Sequence, residues 1–302
     1  MGFFATFWSW LNQQLGAYVG DNTARMAAAL EPAVVTSGAL YVMIWGYLQL
    51  TGRLEEPLIN GLRRILTLAI VLGVALRLWL YNSLIVDTFY NAPAQLAATI
   101  VGTADPVQTL DSIWEQGGAV ADFLWNKGGL YYGEPGYYVA GLSVWLFVGM
   151  LCVYTMFLIA LSHVALSILL AIGPLFIALL LFSGTRRLFD AWVAQLTNYA
   201  LITILTVLTA GLLLRMVQSY AAQTAARGSD LVTVDALNMI LMASLIFLFM
   251  RQVMPVAAGL ASGAALGALE SLDRAVNWSL RAGSTLAQKG ARTTAALSQE
   301  PD

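Results

Sequence analysis

Long stretches without any charged residue recur along the chain, and they restrict its fold more than any other feature. Three such stretches cover residues 33–51, 135–185 and 192–213, and His163 is the only ionisable group of note in the second. A helix needs about 20 apolar residues to cross the hydrocarbon core of a membrane. Only 11% of the residues are charged, whereas a water-exposed surface usually requires about 25%. The sequence therefore predicts an all-α integral membrane protein.

The uncharged stretches and the polar segment between them predict about five transmembrane helices, an N-terminal interfacial helix and a structured segment outside the membrane. Near the N-terminus, Phe4, Phe7, Trp8 and Leu11 share one helical face, a pattern typical of helices that lie in the membrane interface. The second span is expected to end near Val86, and the last span to run from residue 236 to about 250. The expected divisions are 1–32, an amphipathic N-terminal segment; 33–86, two transmembrane helices with a basic cytoplasmic loop; 87–136, a central helical segment outside the membrane; 137–255, a transmembrane bundle with a break near 173–174; and 256–302, a small-residue helix and cytoplasmic tail.

The distribution of Lys and Arg predicts how these helices are oriented. Residues 51–64, residues 183–190 and the end of the chain from Arg251 onward are basic, whereas residues 87–136 hold one lysine and six acidic residues. Because cytoplasmic loops are enriched in Lys and Arg, we expect the N-terminus and residues 87–136 outside and the C-terminus inside. Residues 137–182 must then cross an odd number of times. Five crossings are expected, and six are the alternative.

A helix break is expected inside the longest apolar stretch. As one straight helix, residues 137–182 would be about 69 Å long at ~1.5 Å per residue, against a hydrocarbon core of ~30 Å. Gly173 and Pro174 lie in the second half of this stretch, and proline removes a helix hydrogen bond. We therefore expect one crossing plus a broken or re-entrant piece at Gly173 and Pro174, a candidate pore region.

Arg77 lies inside the second predicted span and is a second candidate for a pore residue. A charge near the membrane centre costs about 2.5–3.5 kcal/mol on insertion scales and suggests a function. Trp79 and Tyr81 follow closely and resemble an interfacial aromatic belt. Two interpretations remain open: Arg77 extends toward the interface, or it lines a pore or a contact between subunits.

The central segment is predicted to contain an amphipathic helix from residue 106 to residue 127. Asp105 followed by Pro106 is a typical helix start, and Lys127 followed by glycine is a typical end. Its apolar face, which includes Leu110, Trp114 and Leu124, must be buried against something. This face is expected either to pack on the spans of the same chain or to dock a partner or a sister subunit outside the membrane.

Two further features indicate helix packing. Gly259, Gly263 and Gly267 recur every four residues, a spacing that lets helices approach closely in membranes. This face can pack within the chain or form an oligomer interface. His163 is expected to be a hydrogen-bonded packing residue, with the nearby serines bonded to their own helix.

The sequence predicts no enzyme, cofactor or metal site. It has no phosphate-binding loop, no dinucleotide fingerprint, no zinc-binding helix and no paired carboxylates in the predicted spans. Cys152 is the only cysteine. A transporter or channel working alone is the alternative class, but such proteins have internal repeats with paired broken helices. Here the sequence indicates one break.

Residues 171–182 (AIGPLFIALLLF), followed by residues 185–189 (TRRLF) and Trp192, resemble the signature region of the TrbL/VirB-six family. The residues that carry this resemblance are Phe182, Arg186, Arg187 and Trp192. The family comprises polytopic inner-membrane subunits of bacterial type IV secretion and conjugation systems. The resemblance therefore implies a bacterial inner-membrane protein with a periplasmic N-terminus and a cytoplasmic C-terminus.

The resemblance also implies a function and a set of partners. Family members form a homo-oligomeric platform and part of a translocation channel, pass single-stranded DNA or protein, and take part in pilus assembly. The implied partners are further copies of the chain, a pilus-tip or minor pilin protein, pilin, scaffold proteins, a secretion ATPase, membrane lipid and transient single-stranded DNA.

Overall fold

The computed structural model describes residues 2–51, 58–102, 106–128, 135–180, 184–227, 237–238 and 240–262, and all regular structure in these ranges is helical. The helices are α1 (Phe3–Leu50), α2 (Leu58–Leu76), α3 (Leu78–Tyr81), a π-helix (Asn82–Asn91), α4 (Ala92–Val101), α5 (Pro106–Lys127), α6 (Pro135–Ala171), α7 (Gly173–Leu179), α8 (Arg186–Arg227) and α9 (Ile240–Ser262). The predicted all-α fold is confirmed.

Four helices of the described part are long and apolar enough to cross a membrane: α1, α6, α8 over Arg186–Ser219, and α9. A fifth candidate span is a pair of helical segments, Leu68–Leu76 and Leu78–Val101, which meet at an angle of 89°. Four to five candidate spans therefore agree with the predicted multi-pass membrane protein.

Helix α6 is central to the bundle, and α5 and α1 cover it one after the other. The end of α5 lies at the start of α6, where the ring centroids of Trp125 and Tyr138 are 3.8 Å apart. Farther along α6, the start of α1 takes over, and the ring centroids of Trp8 and His163 are 4.7 Å apart. The apolar core has two parts. Helices α5 and α9 pack on the first part of α6, whereas α2, α3 and α7 pack near its end, and α1 and α8 contribute to both.

Asp111 of α5 joins the two covering helices. Its carboxylate accepts hydrogen bonds from the backbone N–H groups of Phe4 and Ala5, both of 3.0 Å. The first N–H groups of a helix have no partner within the helix and carry partial positive charge. The buried Asp111 carboxylate therefore caps α1 and fixes its start against α5.

Helix α1 continues through Pro32, where we expected an interfacial segment to end and a span to begin. The boundary expected between residues 32 and 33 is therefore not a break in the helix. Pro32 is exposed, whereas Ala27, Val34 and Gly38 are buried on the opposite side. Packing on that side supports a helix that continues past Pro32, although Pro32 cannot donate a helix hydrogen bond.

Helix α5 has the bounds expected from the sequence, but its apolar face is not free to dock a partner. Leu110 and Leu124 have no exposed surface, and Trp114 is partly buried with its ring centroid 4.4 Å from that of Trp145. The prediction that this face binds a periplasmic partner is wrong for Leu110 and Leu124, because α6 and α8 already cover them. The intramolecular alternative describes the structure.

Helix α9 extends to Ser262, beyond the expected end of the last span near residue 250, and it is continuous through Pro255. Gly259 lies on its exposed side, and a Cβ atom added there would meet nothing within 4 Å. Gly263 and Gly267 lie outside the described residues. The close packing expected along this glycine row thus remains a prediction.

Candidate functional site at two helix breaks

The break predicted near Gly173 and Pro174 lies at Ile172, between α6 and α7. Ile172 leaves the helical conformation, with φ −94° and ψ 2°. Pro174 has no N–H group and cannot donate the helix hydrogen bond to the carbonyl of Leu170, four residues earlier. The Leu170 carbonyl therefore needs another donor, because an unpaired polar group is costly in an apolar environment.

Tyr81 of α3 supplies this donor. Its hydroxyl donates a hydrogen bond of 2.6 Å to the carbonyl oxygen of Leu170. The hydroxyl of Thr23 in α1 donates a longer one of 3.5 Å to the same oxygen. Tyr81, Thr23 and Leu170 are all buried. Two other helices thus satisfy the carbonyl that Pro174 leaves free.

Trp192 of α8 satisfies the neighbouring carbonyl. Its indole Nε1–H donates a hydrogen bond of 2.9 Å to the carbonyl oxygen of Leu169. The same ring stacks on Phe176 of α7, with centroids 5.8 Å apart and 6° between the planes, and lies 5.7 Å from Phe189. Trp192 therefore connects both sides of the break to α8.

Gly173 leaves the space that these two aromatic side chains occupy. A Cβ atom built on Gly173 would collide with the Tyr81 hydroxyl and lie 3.0 Å from Cζ2 of Trp192. The two residues that predicted the break thus have different roles. Pro174 frees a carbonyl, and Gly173 allows the replacement donor to reach it.

A second break lies at Arg77, where the sequence pattern predicted a continuous helix. Arg77 adopts an extended conformation (φ −93°, ψ 99°), and the chain turns by 89° into Leu78–Val101. The second span therefore does not run straight to Val86, and the prediction of a single break is wrong. Neither Gly nor Pro stands at this corner. The available signal was Tyr81, whose hydroxyl requires a partner within an apolar stretch.

The two breaks are in direct contact. Tyr81 follows the first break by one helical turn, and Leu170 precedes the second by two residues. We call Tyr81, Leu170, Gly173, Pro174 and Trp192 the break junction. Side chains from α1, α2, α6, α7, α8 and the π-helix pack around it in one apolar cluster.

The arginines near the junction lie on the surface. Arg77 is exposed, as is its neighbour Trp79, whereas Tyr81 is fully buried and so does not belong to the expected interfacial belt. Arg186 and Arg187 are exposed at the start of α8. Phe182, the remaining signature residue, lies outside the described residues. The proposed pore or interfacial role of Arg77 remains a prediction.

His163 packs between two aromatic rings rather than forming hydrogen bonds. The ring centroids of Trp8 and Tyr90 lie 4.7 Å and 4.8 Å away, both nearly perpendicular to the imidazole. Neither ring nitrogen has a hydrogen-bond partner in the described part of the chain. The expected hydrogen bond is therefore wrong, although Ser162 and Ser167 do bond to carbonyls of α6, at 2.8 Å each.

The chemistry available at the break junction is that of holding helices together. Its polar side-chain atoms are one phenol hydroxyl and one indole N–H, and both donate to backbone carbonyls. The described residues include no group of three or more His, Cys, Asp or Glu side chains that could hold a metal ion. The junction can therefore fix the angle between two broken helices.

Comparison with known proteins identifies the family to which this sequence is similar. The sequence model of the TrbL/VirB6 plasmid conjugal transfer protein family matches residues 38–253. The type IV secretion system protein VirB6 of Brucella abortus is 29% identical over 225 residues, which cover 68% of this chain and 64% of that protein. The corresponding protein of Bartonella henselae is 21% identical over 224 residues, which cover 71% of this chain and 67% of that protein. Protein VirB6 of Agrobacterium fabrum is 25% identical over 222 residues, covering 68% and 74%.

The match to the Brucella relative is thus confined to somewhat less than two thirds of that protein's length. The family match covers most of this chain. It begins in the second half of α1, includes both helix breaks and ends in α9. The chain belongs to the TrbL/VirB6 family.

Proposed function

We propose that the chain is an inner-membrane platform subunit and translocation-channel component of a type IV secretion system. In this role it takes part in the transfer of DNA, protein or both, and in pilus assembly. The observation that carries the proposal is the family match over residues 38–253, which includes the whole break junction. The names of the Brucella and Bartonella relatives, type IV secretion system protein VirB6, support it.

The proposed role is structural and involves no catalysis. In support, the buried hydroxyls of Ser162 and Ser167 bond to backbone carbonyls, and the break junction uses its polar atoms in the same way. The proposed orientation has the N-terminus in the periplasm and the C-terminus in the cytoplasm. The distribution of Lys and Arg supports this orientation.

The proposed partners follow from membership of such a machine. They are other copies of this chain, a pilus-tip or minor pilin protein, pilin, scaffold proteins, a secretion ATPase, and DNA in transit. The exposed apolar side chains of α6 and α9, among them Leu142, Leu146, Leu245 and Leu248, support contact with lipid and with neighbouring helices.

The test is deletion of the gene in the host bacterium, followed by complementation. Transfer of a mobilisable plasmid, delivery of a reporter protein and pilus formation are measured together with the mass of the gently solubilised complex. Wild type and Gly20→Ala, a change into open space on α1, should restore transfer, whereas Gly173→Leu at the junction should not. Unchanged transfer and pilus formation in the deletion strain would contradict the proposal.

One observation bears on the alternative of a transporter that works alone. Transporters often build a substrate site from two broken helices, and in this chain two helix breaks are in contact. Here Tyr81 and Trp192 already occupy the carbonyls next to the second break. Uptake or efflux of a small solute by the purified chain in vesicles would favour the transporter over the platform.

A further inference from the structure

Arg251 is an exposed charge halfway along a candidate membrane span. Helix α9 extends from Ile240 to Ser262, and Arg251 and Gln252 lie at its midpoint, both exposed. Only 15 residues separate Arg251 from Asp235, fewer than the roughly 20 that a span requires. Neither Arg251 nor Gln252 has a hydrogen-bond or charged partner in the described part of the chain. A cation and an amide in an apolar span require one.

A complementary polar surface lies on another side of the bundle. Asp87, Thr88, Asn91 and Gln95 are exposed and line a depression of about 480 Å³ along the π-helix and the start of α4. The only hydrogen bond that the Asp87 carboxylate accepts from a side chain of the described residues comes from Asn91, at 2.8 Å. Exposed Leu84, Leu96 and Ile100 surround this acidic patch. A π-helix in this position is itself a frequent mark of a functional site.

The two surfaces lie at nearly the same depth along α6. The ring of Tyr90, next to Asn91, is 4.8 Å from His163. The ring of Phe247, one turn before Arg251, is 5.0 Å from Tyr154. Since α6 and α9 run parallel, with Val148 and Leu151 facing the start of α9, Arg251 is level with about residue 158 of α6. The acidic surface is level with His163, and Arg251 is level with about residue 158. These two levels are about 7 Å apart at ~1.5 Å per residue, a distance that an arginine side chain can reach.

The two surfaces cannot pair within one molecule, because α8 lies between them. Helix α4 packs on α8 at Gly211, where an added Cβ would touch Val101. Helix α9 packs on α8 at Leu213 and Met216. These positions lie on different faces of α8, since successive residues are rotated by about 100°. Each chain thus offers a cationic surface on one side and an acidic surface on another.

We propose that Arg251 and Gln252 of one copy of this chain bind the Asp87–Asn91–Gln95 surface of a second copy. The occupant is a second copy because charge, depth and apolar surroundings match, and because a buried pair would remove the exposed charges from the span. The contact joins two different surfaces, so successive copies associate head to tail and close into a ring when the rotation allows it. This inference rests on the proposed oligomeric platform and names its subunit interface.

Cysteine cross-linking tests this contact directly. The full-length chain carries Cys152→Ala, Asn91→Cys and Gln252→Cys and is oxidised mildly in native membranes. Because a head-to-tail contact links each copy to two neighbours, we expect a ladder of dimers, trimers and larger species under non-reducing conditions. Asn91→Cys alone and Gln252→Cys alone should stay monomeric. A monomeric double-cysteine chain, or a strong dimer from Gln252→Cys alone, would overturn the proposal.

Charge reversal supplies an independent test. In the double-cysteine chain, Arg251→Glu and Asp87→Arg should each abolish the ladder, because each places like charges together. Each should also reduce the mass of the solubilised complex. The combination of the two reversals should restore both. Glu31→Arg, at an exposed carboxylate of α1, is the matched control and should not rescue Arg251→Glu. The pairing would be contradicted if Glu31→Arg restored the ladder of Arg251→Glu. It would also be contradicted if Asp87→Arg failed to restore it in a chain that still reaches the membrane.

The cross-linking result and the proposed function can fail separately. Cross-linking is measured in membranes and does not require secretion. If the ladder forms while deletion of the gene leaves transfer intact, the interface holds and the secretion role is wrong. If transfer depends on the chain but no ladder forms, the role holds and this interface is wrong.

Discussion

The two helix breaks differ in cause although they meet at one junction. At Ile172 the cause is covalent, because Pro174 has no N–H for the Leu170 carbonyl. At Arg77 every nearby residue can donate a helix hydrogen bond, and the backbone is nevertheless extended. The turn at Arg77 directs α3 so that the Tyr81 hydroxyl reaches the carbonyl that proline has left free.

This difference indicates that the second break depends on the first. A break caused by proline is a property of the local sequence. The break at Arg77 has no such local cause, and we infer that it is maintained by the contacts that it makes possible, above all the one between Tyr81 and Leu170. Changes at the Ile172 break should therefore alter the stability of the turn at Arg77.

The largest effect is expected for Gly173→Ala. The new methyl group would collide with the Tyr81 hydroxyl and press on Trp192, and overpacking of this kind typically costs about 1–3 kcal/mol. Thermal unfolding of the purified protein in detergent measures the loss. Gly20→Ala in α1, where nothing lies within 4 Å, is the matched control and should be neutral or slightly stabilising. Equal stability of the two variants would show that the breaks are not in close contact.

The features that could be predicted from the sequence are those with a local cause. Uncharged stretches predict spans because a bilayer has a fixed thickness. Proline predicts the break at Ile172 because it lacks a donor. The bounds of α5, from Pro106 to Lys127, follow from its start and stop residues.

The features that could not be predicted depend on what packs against a segment. The sequence around Arg77 is compatible with a straight helix, and the corner depends on tertiary contacts such as the one between Tyr81 and Leu170. The apolar face with Leu110 and Leu124 could be covered by the same chain or by a partner. Its contact with α6 depends on the tertiary structure and not on the local sequence. Helix α1 passes Pro32 because its opposite side is packed. In each case the local pattern allows two structures.

An intermediate effect is expected for Tyr81→Phe, and its size should depend on residue 174. Loss of the hydroxyl leaves the Leu170 carbonyl with only the longer bond from Thr23, at a cost of about 1 kcal/mol. Pro174→Ala restores an N–H that can donate to the same carbonyl. In that background Tyr81→Phe should cost less, and the unfolding free energies of the four proteins measure the coupling.

Tyr18→Phe is the control for this comparison, because Tyr18 is exposed on α1. Removal of its hydroxyl should not change stability with either proline or alanine at position 174. Identical costs of Tyr81→Phe with proline and with alanine at position 174 would break the proposed link between the two breaks. Each helix would then bend for its own reason.

A smaller effect is expected for Trp192→Phe. The substitution keeps an aromatic ring against Phe176 but removes the donor to the Leu169 carbonyl. This hydrogen bond is partly buried, and interhelical bonds of side chains in membrane proteins contribute about 0.6 kcal/mol on average. Trp79→Phe, at a mostly exposed position, should change nothing measurable. A cost for Trp192→Phe as large as that of Gly173→Ala would mean that Trp192, rather than Tyr81, maintains the junction.

The smallest effect on stability is expected for Arg77→Gln, although Arg77 stands at the corner itself. Its side chain is exposed, and substitutions at such positions usually change stability by less than about 0.5 kcal/mol. The break is held by the backbone at Arg77 and by Tyr81 one turn later, so the charge is not needed for the turn. Unfolding of the purified variant tests this expectation. A large loss would show that the guanidinium holds the corner, whereas unchanged stability with reduced transfer would assign Arg77 to the pore or to a subunit contact.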